Sequence, residues 1–198
     1  VPEQKLCDVF GVSRTPLREA LKVLGGEGLL TLEPNRGARV ATLSEDDIDE
    51  IFPVMGALEA LSGELACARL TDSEFAEIRA LHYQMALHHT RGELQPSFAV
   101  NQQIHEAILR AADNPTLETQ YRSLAGRIRL ARYRANMTQE RWDKAMQEHE
   151  EILGALEARD GARLSVILRQ HLENKRETVK AAIREGFGDG PVSIAAYD

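Results

Sequence analysis

Apolar residues recur at helical spacing along most of the chain, and one short stretch near the start alternates as strands do. The spacing predicts helices at residues 3–10 and about 14–25, with Ser13 as the N-cap of the second helix. The glycines that follow end this helix. The segments LLTLE, PNRG and ARVATL then predict a strand, a turn and a strand. Residues 1–43 are therefore predicted to form a small α+β unit.

From Ser44 onward the pattern predicts helices only. The segment SEDD is similar to a capping box, and apolar positions continue at helical spacing to Leu70. Pro53 lies within this stretch and should kink the helix or mark its true start. Five more helices are predicted, at about residues 71–89, 97–111, 116–136, 138–158 and 161–185. The chain is thus predicted to be mainly α, with an all-α six-helix bundle at 44–186 and a loose tail at 187–198.

The net charge of −7 is unevenly distributed, which changes the picture of the first unit. Residues 1–43 carry six Lys and Arg against five Asp and Glu, whereas residues 44–198 carry 18 against 26. The change of sign near Ser44 indicates a domain boundary and leaves nucleic acid open as a partner of the first unit. There is no run of 18 apolar residues, so no membrane partner is predicted. Cys7 and Cys67 lack metal-type spacing, and this fits a reducing cytoplasm.

The first two helices have the spacing of a helix-turn-helix, in the segment LCDVFGVSRTPLREALKVL. Cys7 is the small residue where the helices cross, and Gly11 takes the strained backbone of the turn. The second helix leaves a polar set for its N-terminus and outer face: Arg14, Thr15, Arg18 and Lys22. Arginine can bind guanine O6 and N7, and threonine can contact a phosphate or a thymine methyl group. These residues are candidates for reading DNA.

The predicted hairpin adds a second basic element. Arg36 and Gly37 lie at its tip, where a basic wing can reach the DNA backbone or the minor groove. The alternative is a small α+β domain whose arginines are only solvated. A helix pair followed at once by a hairpin with a basic tip favours a winged helix-turn-helix that binds DNA.

Three of the six histidines are predicted to meet inside the bundle. Asn101 and His105 are four residues apart, so their side chains leave one face of a helix. His149 precedes the RDG turn by 11 residues and His171 follows Gly161 by 10, which is roughly 16 and 15 Å along two antiparallel helices. The remaining histidines are interpreted as solvated or packed surface: His82, His88 and His89.

This constellation predicts a divalent metal site, since imidazole suits zinc, nickel and similar ions. Asn101 would offer its carbonyl oxygen and each histidine one ring nitrogen, at about 2.0–2.2 Å for zinc-like ions. The alternative is a set of buried histidines satisfied by hydrogen bonds, or a pH-sensitive core. Neutral ligands leave the double charge of the ion uncompensated, which favours a small anionic effector at its open positions.

Two other functions use the same histidines. A metal-dependent hydrolase would need a positioned general base, and the candidates lie near the histidines in sequence only: Glu106, Glu148 and Glu150. Neither a nucleophile nor a phosphate-binding loop is evident, so the chain is predicted not to be an enzyme. A structural zinc bundle that scaffolds a dimer is the other alternative, and it leaves the DNA-binding unit unexplained.

A dense basic stretch in the fourth bundle helix supplies candidates for binding the effector: Arg127, Arg129, Arg132 and Arg134. One or two of them, taken as Arg127 and Arg134, could face the interior and bind a carboxylate. The alternative is that they form only solvent contacts and dimer salt bridges.

The segment GVSRTPLREALKVLGGEGLLTLEPNRGARVATLS resembles the winged helix of the GntR family of bacterial transcription regulators. The helical remainder resembles the FadR-like branch, whose effector domain is called FCD. The resemblance implies a cytoplasmic homodimer that binds a palindromic operator and responds to a small ligand. It places the DNA contacts on six residues: Ser13, Arg14, Thr15, Arg18, Arg36 and Gly37. A further helix precedes this one in the family, so the resemblance also implies that the chain begins inside the DNA-binding domain.

The same resemblance agrees with the metal prediction. Metal-binding members of the branch carry Asp or Asn, then His four residues later, then two later histidines, and this pattern fits Asn101, His105, His149 and His171. Many relatives also bind the effector with an arginine on the first effector-domain helix. The matching position here is Met55, which departs from a simple dicarboxylate site.

Overall fold

The computed structural model describes residues 2–33, 37–41, 43–135 and 138–184, with residues 129–135 described by their backbone only. In this part of the chain there are eight helices and one two-stranded sheet. The first unit contains α1 (Glu3–Phe10), α2 (Arg14–Gly26), β1 (Leu30–Glu33) and β2 (Gly37–Val40). The second contains α3 (Glu45–Arg69), α4 (Asp72–Thr90), α5 (Leu94–Ala111), α6 (Pro115–Ala135), α7 (Gln139–Glu157) and α8 (Gly161–Arg184).

The first unit has the predicted helix pair and hairpin. Gly11 ends α1 at a φ of 62°, a left-handed conformation that glycine adopts without the strain of a Cβ. The strands are antiparallel, with Leu30 opposite Val40. The small core is made of four buried residues: Cys7, Leu17, Leu21 and Ala38. The mainly α fold with a winged helix-turn-helix is thereby confirmed.

The central helix of the bundle is α3. Its first turn is closed by a capping box in which the Ser44 side chain accepts from the Asp47 backbone N–H and the Asp47 carboxylate accepts from Ser44. Pro53 lies inside the helix, so the alternative that it marks the start is wrong. The helix is long and apolar enough to cross a membrane, but 56% of its apolar window is buried in the bundle. This burial is typical of a core helix.

Close packing of α3 against α8 brings the two longest helices together. A Cβ on Gly63 would lie 2.5 Å from Leu168 Cδ1 and 2.8 Å from Leu164 Cγ, so only glycine fits this contact unless the leucines move. A Cβ on Gly161, at the start of α8, would lie 3.0 Å from the Glu64 carbonyl oxygen. The register of α8 on α3 is therefore set by steric contact.

The bundle core consists of two apolar clusters. The first joins α3, α4, α5, α7 and α8, and its fully buried members include Ile78, Ile104, Ile152 and Leu164. The second joins α3, α5, α6 and α8, and its fully buried members include Ile48, Phe52, Met55 and Ile128. Because α3, α5 and α8 contribute to both clusters, polar side chains on these helices can be enclosed between apolar layers.

The predicted helix ends agree with the structure within one or two residues, with one exception. Helix α5 begins at Leu94, three residues before the predicted start at Ser97. Pro96 precedes the predicted start, but it falls in the first turn of the helix, where its missing N–H has no intrahelical partner to lose. The predicted loose tail, 187–198, lies outside the described residues.

The substitution Gly63→Ala tests the contact between α3 and α8. We expect it to lower the free energy of unfolding by about 1–3 kcal/mol, because the added methyl group overpacks the leucines of α8. Gly154→Ala is the matched control, since a Cβ on Gly154 in α7 would meet nothing within 4 Å. It should raise stability by about 0.5–1 kcal/mol through helix propensity. Urea unfolding followed by circular dichroism measures both, and equal effects of the two changes would contradict this packing.

Candidate metal centre and nucleic-acid interface

Three histidines from three helices meet in the bundle interior, as the sequence predicts. His105 on α5, His149 on α7 and His171 on α8 are each at most 3% exposed. The three pairs of ring centroids are all 5.3 Å apart, so the rings form an equilateral triangle. One nitrogen from each ring lies within 4.8 Å of the others, which is a spacing that one ion can bridge.

Each of the three rings has one buried nitrogen without a hydrogen-bond partner. They are Nε2 of His105, Nε2 of His171 and Nδ1 of His149. A buried polar atom without a partner costs about 1–3 kcal/mol, so three together call for a common explanation. Three imidazoles whose nitrogens lie within bridging distance of one another fit a divalent metal ion.

Asn101 lies beside the triangle, as predicted. Its side-chain Nδ2 is 2.7 Å from Nε2 of His149, and the residue is buried. Rotation of the amide by 180° exchanges Oδ1 and Nδ2, so the same side chain can present an oxygen to this region. The structure therefore brings all four predicted residues together.

Two carboxylates stand behind the triangle, and neither was placed there from the sequence. Glu148 Oε2 is 2.5 Å from Nδ1 of His171, and Glu59 Oε2 is 3.2 Å from Nδ1 of His105. Glu148 accepts Nδ1–H of His171 and so fixes the tautomer in which Nε2 is a free lone pair, whereas Glu59 and His105 lie at ion-pair distance. The sequence signal for Glu59 is a single acid within the apolar run MGALEALSG, and helical periodicity alone does not place it beside the histidines.

Glu148 is the centre of a polar network. Arg141 donates to both of its oxygens, at 3.1 and 2.9 Å, and the Asn174 amide donates at 2.9 Å. Burial raises the pKa of this carboxyl, but the hydrogen bonds and charges of His171 and Arg141 outweigh burial and lower the pKa to about 2. Glu148 is therefore ionised at neutral pH and can hold His171 in one orientation.

Burial keeps two of the three histidines, His149 and His171, neutral. It lowers the pKa of His171 to about 3 and that of His149 well below 6.5, and neighbouring positive charges lower both further. One of those charges belongs to Lys175, which is 1% exposed and lies one turn beyond His171 on α8. A neutral imidazole is the form that binds a metal, so these histidines need not lose a proton first.

His82 corrects the interpretation that the α4 histidines form surface contacts. It is buried, its Nδ1 is 2.9 Å from the Ile78 carbonyl oxygen, and its ring centroid is 5.4 Å from that of His149. Burial lowers its pKa to about 4. His88 and His89 do lie nearer the surface, where they contact Glu93 and Asp143.

Of the two predicted effector arginines, the structure describes the side chain of Arg127 alone, and its described contacts lie away from the histidines. Arg127 forms an ion pair with Asp47 at 3.2 Å, and its side chain packs against Gly28 of the first unit. The side chain of Arg134 lies outside the described residues. Met55, at the position where many relatives carry arginine, is fully buried in the apolar core. The effector role of both arginines stays a prediction.

The helix-turn-helix presents its predicted DNA-binding residues at the surface. Arg14 donates to Gln4 at 2.9 Å, and Arg18 pairs with Glu3 at 3.0 Å, both on α1. The Arg18 side chain is 62% exposed, and an exposed ion pair of this kind contributes at most about 1 kcal/mol. Both guanidinium groups can therefore exchange these partners for phosphate or base edges.

The other predicted contacts frame the same surface. Ser13 is the N-cap of α2 and Thr15 lies in its exposed first turn, where backbone N–H groups favour phosphate. Gly37 begins β2 at a φ of 85°, and Arg36 lies outside the described residues. The contacts with DNA themselves remain predictions.

A helix-turn-helix and hairpin joined to a helical bundle define a winged-helix transcription regulator with an effector domain. The model of the bacterial regulatory proteins of the gntR family matches residues 1–40, and the FCD domain model matches residues 50–174. The chain therefore belongs to the GntR family of bacterial transcription regulators, with an FCD domain, as its sequence resemblance indicated. FCD domains bind metal, and the histidine triangle lies within the matched range.

Named relatives agree with this assignment. The chain is 32% identical over 162 residues to a probable D-xylose utilization operon transcriptional repressor from Paenarthrobacter nicotinovorans, covering 81% of this chain and 70% of that protein. It is 32% identical over 165 residues to the transcriptional repressor GlaR from Escherichia coli, covering 79% and 75%. The solved structure of E. coli McbR/YncC has the same fold, with a TM-score of 0.83 at 22% identity over 91% of this chain and 86% of that one.

Acid should destabilise the metal-free protein. The folded pKa values of His82 and His171 lie below the ordinary value of 6.5, so the unfolded chain binds protons that the folded chain does not. Their contribution to stability is present above pH 6.5 and is lost as pH falls toward 4 and then 3. Glu148 adds a loss of the same sign below pH 4.5.

Urea midpoints measured at pH 7, 6 and 5 in chelator-treated protein should fall steadily. His171→Gln should show a shallower slope between pH 7 and 5, because one of the buried titrating groups is gone. A wild-type midpoint that does not change over this range would contradict the neutral, buried state of these histidines.

Proposed function

We propose that this GntR-family regulator binds its operator with an affinity controlled by a small anionic ligand, bound near a divalent metal in the helical domain. The observation that carries the proposal is the triangle of three buried imidazoles, each with an unpartnered nitrogen. The winged helix supplies a surface for DNA, and the bundle supplies an enclosed site for a signal.

The metal would be held by His105, His149, His171 and Asn101. Nitrogen ligands of this kind suit zinc or nickel, and we propose one of these ions. When bound, the ion supplies positive charge and coordination positions that the protein leaves open to an anionic group. Glu148 holds the ring of His171 through a hydrogen bond, which is the usual arrangement around metal-binding histidines, and Glu59 lies 3.2 Å from Nδ1 of His105.

The charge balance of the site favours an anionic effector. Glu148 is ionised, and its charge is paired with that of Arg141 at 2.9 Å. An ion held by histidine and asparagine side chains would therefore keep much of its double charge, which an anionic group could compensate. A small carboxylate satisfies both this charge and the preference of the ion for oxygen.

We further propose a cytoplasmic homodimer that represses transcription from a palindromic operator. Two of the relatives are themselves named repressors, which favours repression over activation. Twofold symmetry of a dimer would present two α2 helices to two half-sites about one helical turn of DNA apart.

The geometry gives less support to a metal-dependent hydrolase. Glu148 already accepts from His171, Arg141 and Asn174, so it is not available to deprotonate water. Glu106 and Glu150 are exposed. In the described part of the chain we find no positioned general base at the triangle, and we therefore propose a regulator that is not an enzyme.

Substitutions at the triangle test the metal site. His171→Ala should abolish stoichiometric zinc or nickel binding, and Glu148→Gln should weaken it about 10–100-fold because His171 loses its fixed tautomer. His88→Ala is the control, since His88 contacts Glu93 away from the triangle and should leave affinity unchanged. Competition with a chromophoric chelator measures each affinity. Equal affinity in wild type and His171→Ala would remove the metal from the proposal.

Arginines of α2 test the DNA-binding surface. An operator is first selected from random duplexes by the wild-type protein, and its affinity is then measured by fluorescence anisotropy. Arg14→Ala or Arg18→Ala should each weaken specific binding by about 1–3 kcal/mol without unfolding the protein. Arg163→Ala, on the exposed face of α8, should have no effect. Full operator affinity in both α2 variants would exclude this helix as the reader.

A further inference from the structure

Glu59 connects the histidine triangle to a helix that carries none of its ligands. This carboxylate on α3 is 2% exposed, and its Oε2 lies 3.2 Å from Nδ1 of His105. Its other oxygen, Oε1, accepts a hydrogen bond from the Tyr121 hydroxyl on α6 at 3.3 Å. One buried carboxylate thus contacts both a predicted metal ligand and α6.

The same helix touches the DNA-binding unit less than two turns further on. A Cβ on Gly126 would lie 3.3 Å from Leu29 Cδ2, so the segment after α2 packs directly on the α6 backbone. A Cβ on Gly28 would lie 2.8 Å from Cδ of Arg127, and Gly28 has a φ of 73° that favours glycine. The N-terminal unit and α6 are therefore in close contact at a position where neither has spare room.

Arg127 also ties this contact to the boundary between the domains. Its guanidinium pairs with Asp47 at 3.2 Å, and Asp47 closes the capping box that starts α3. Between Tyr121 and Arg127 the helix is unbroken, and six residues span about 9 Å. Because α6 is a rigid helix, a displacement of Tyr121 would also move the part of α6 that contacts Gly28 and Leu29.

We infer that Glu59 and Tyr121 are positioning residues that couple the histidine triangle to the DNA-binding unit through α6. This inference rests on the proposed function, because it needs a ligand that changes the triangle. A cation held by His105 would strengthen the attraction between this ring and the Glu59 carboxylate 3.2 Å away, and so hold Glu59 in one place. Glu59 then holds Tyr121, and α6 favours one packing arrangement against Leu29 and Gly28.

A purely structural role makes a different prediction. If the Tyr121 hydroxyl only satisfies a buried carboxylate, its loss lowers stability but does not change how the N-terminal unit responds to metal. The quantity that distinguishes the two roles is therefore the metal-dependent change in amide hydrogen exchange at residues 24–32, measured together with metal affinity. Amide hydrogen exchange followed by mass spectrometry reports this segment directly, with Zn²⁺ alone as the probe.

In wild type, Zn²⁺ should slow exchange in α6 around residues 120–127 and in residues 24–32. Tyr121→Phe should change zinc affinity by no more than about threefold, which is less than the 10–100-fold loss typical of residues that contact a ligand histidine. The same variant should lose the zinc-dependent slowing of exchange at residues 24–32. Tyr83→Phe is the matched control, because Tyr83 on α4 is 66% exposed and should keep the full response.

A second pair of variants tests the other end of α6. Arg127→Ala removes the contacts with Asp47 and Gly28, so zinc should still protect residues 120–124 but no longer 24–32. Arg122→Ala is its control, since Arg122 pairs with Glu118 along its own helix and its side chain is 56% exposed.

The outcomes separate the inference from the proposed function. Wild type that binds zinc without any change in α6 or residues 24–32 overturns the inference and leaves the metal site standing. An undiminished response at 24–32 in both Tyr121→Phe and Arg127→Ala also overturns it. Wild type that binds no zinc overturns the metal-dependent part of the proposed function and the inference together.

Discussion

The structure depends on the burial of three imidazoles, each of which has one nitrogen without a hydrogen-bond partner. Charging His149 or His171 in this low-dielectric interior is unfavourable, and leaving the three nitrogens unpartnered is unfavourable too. A bound ion would offset this cost. Glu148 makes the arrangement specific at His171, because it accepts the N–H of Nδ1 and leaves Nε2 available, while Glu59 lies 3.2 Å from Nδ1 of His105.

This site cannot be separated from the packing of the bundle. The four predicted ligand residues come from α5, α7 and α8, and the carboxylate behind His105 comes from α3. Steric contact at Gly63 sets how α8 lies on α3 and hence where His171 stands relative to Glu59. A change at the triangle must therefore be shared by several helices, which is the physical condition for a bundle to act as a sensor.

The two domains use charge in opposite ways. In the bundle, buried charges are paired with one another, and Arg141 and Glu148 are held by several contacts each. On the helix-turn-helix, Arg14 and Arg18 make single exposed contacts with α1. Exposed contacts of this kind are weak and easily exchanged, so the DNA-reading surface can bind a polyanion although the whole chain carries a net charge of −7.

The sequence by itself determined the elements and the local groupings. Helical spacing, capping signals and glycines defined the helix pair, the hairpin and six bundle helices, and equal distances from one turn placed His149 beside His171. Only the tertiary structure decided which long-range faces meet. It brought Glu59 behind His105, buried His82 and turned Arg127 toward Gly28. The reason is that periodicity fixes positions around one helix axis, whereas the rotation and register of one helix on another depend on packing along the whole interface.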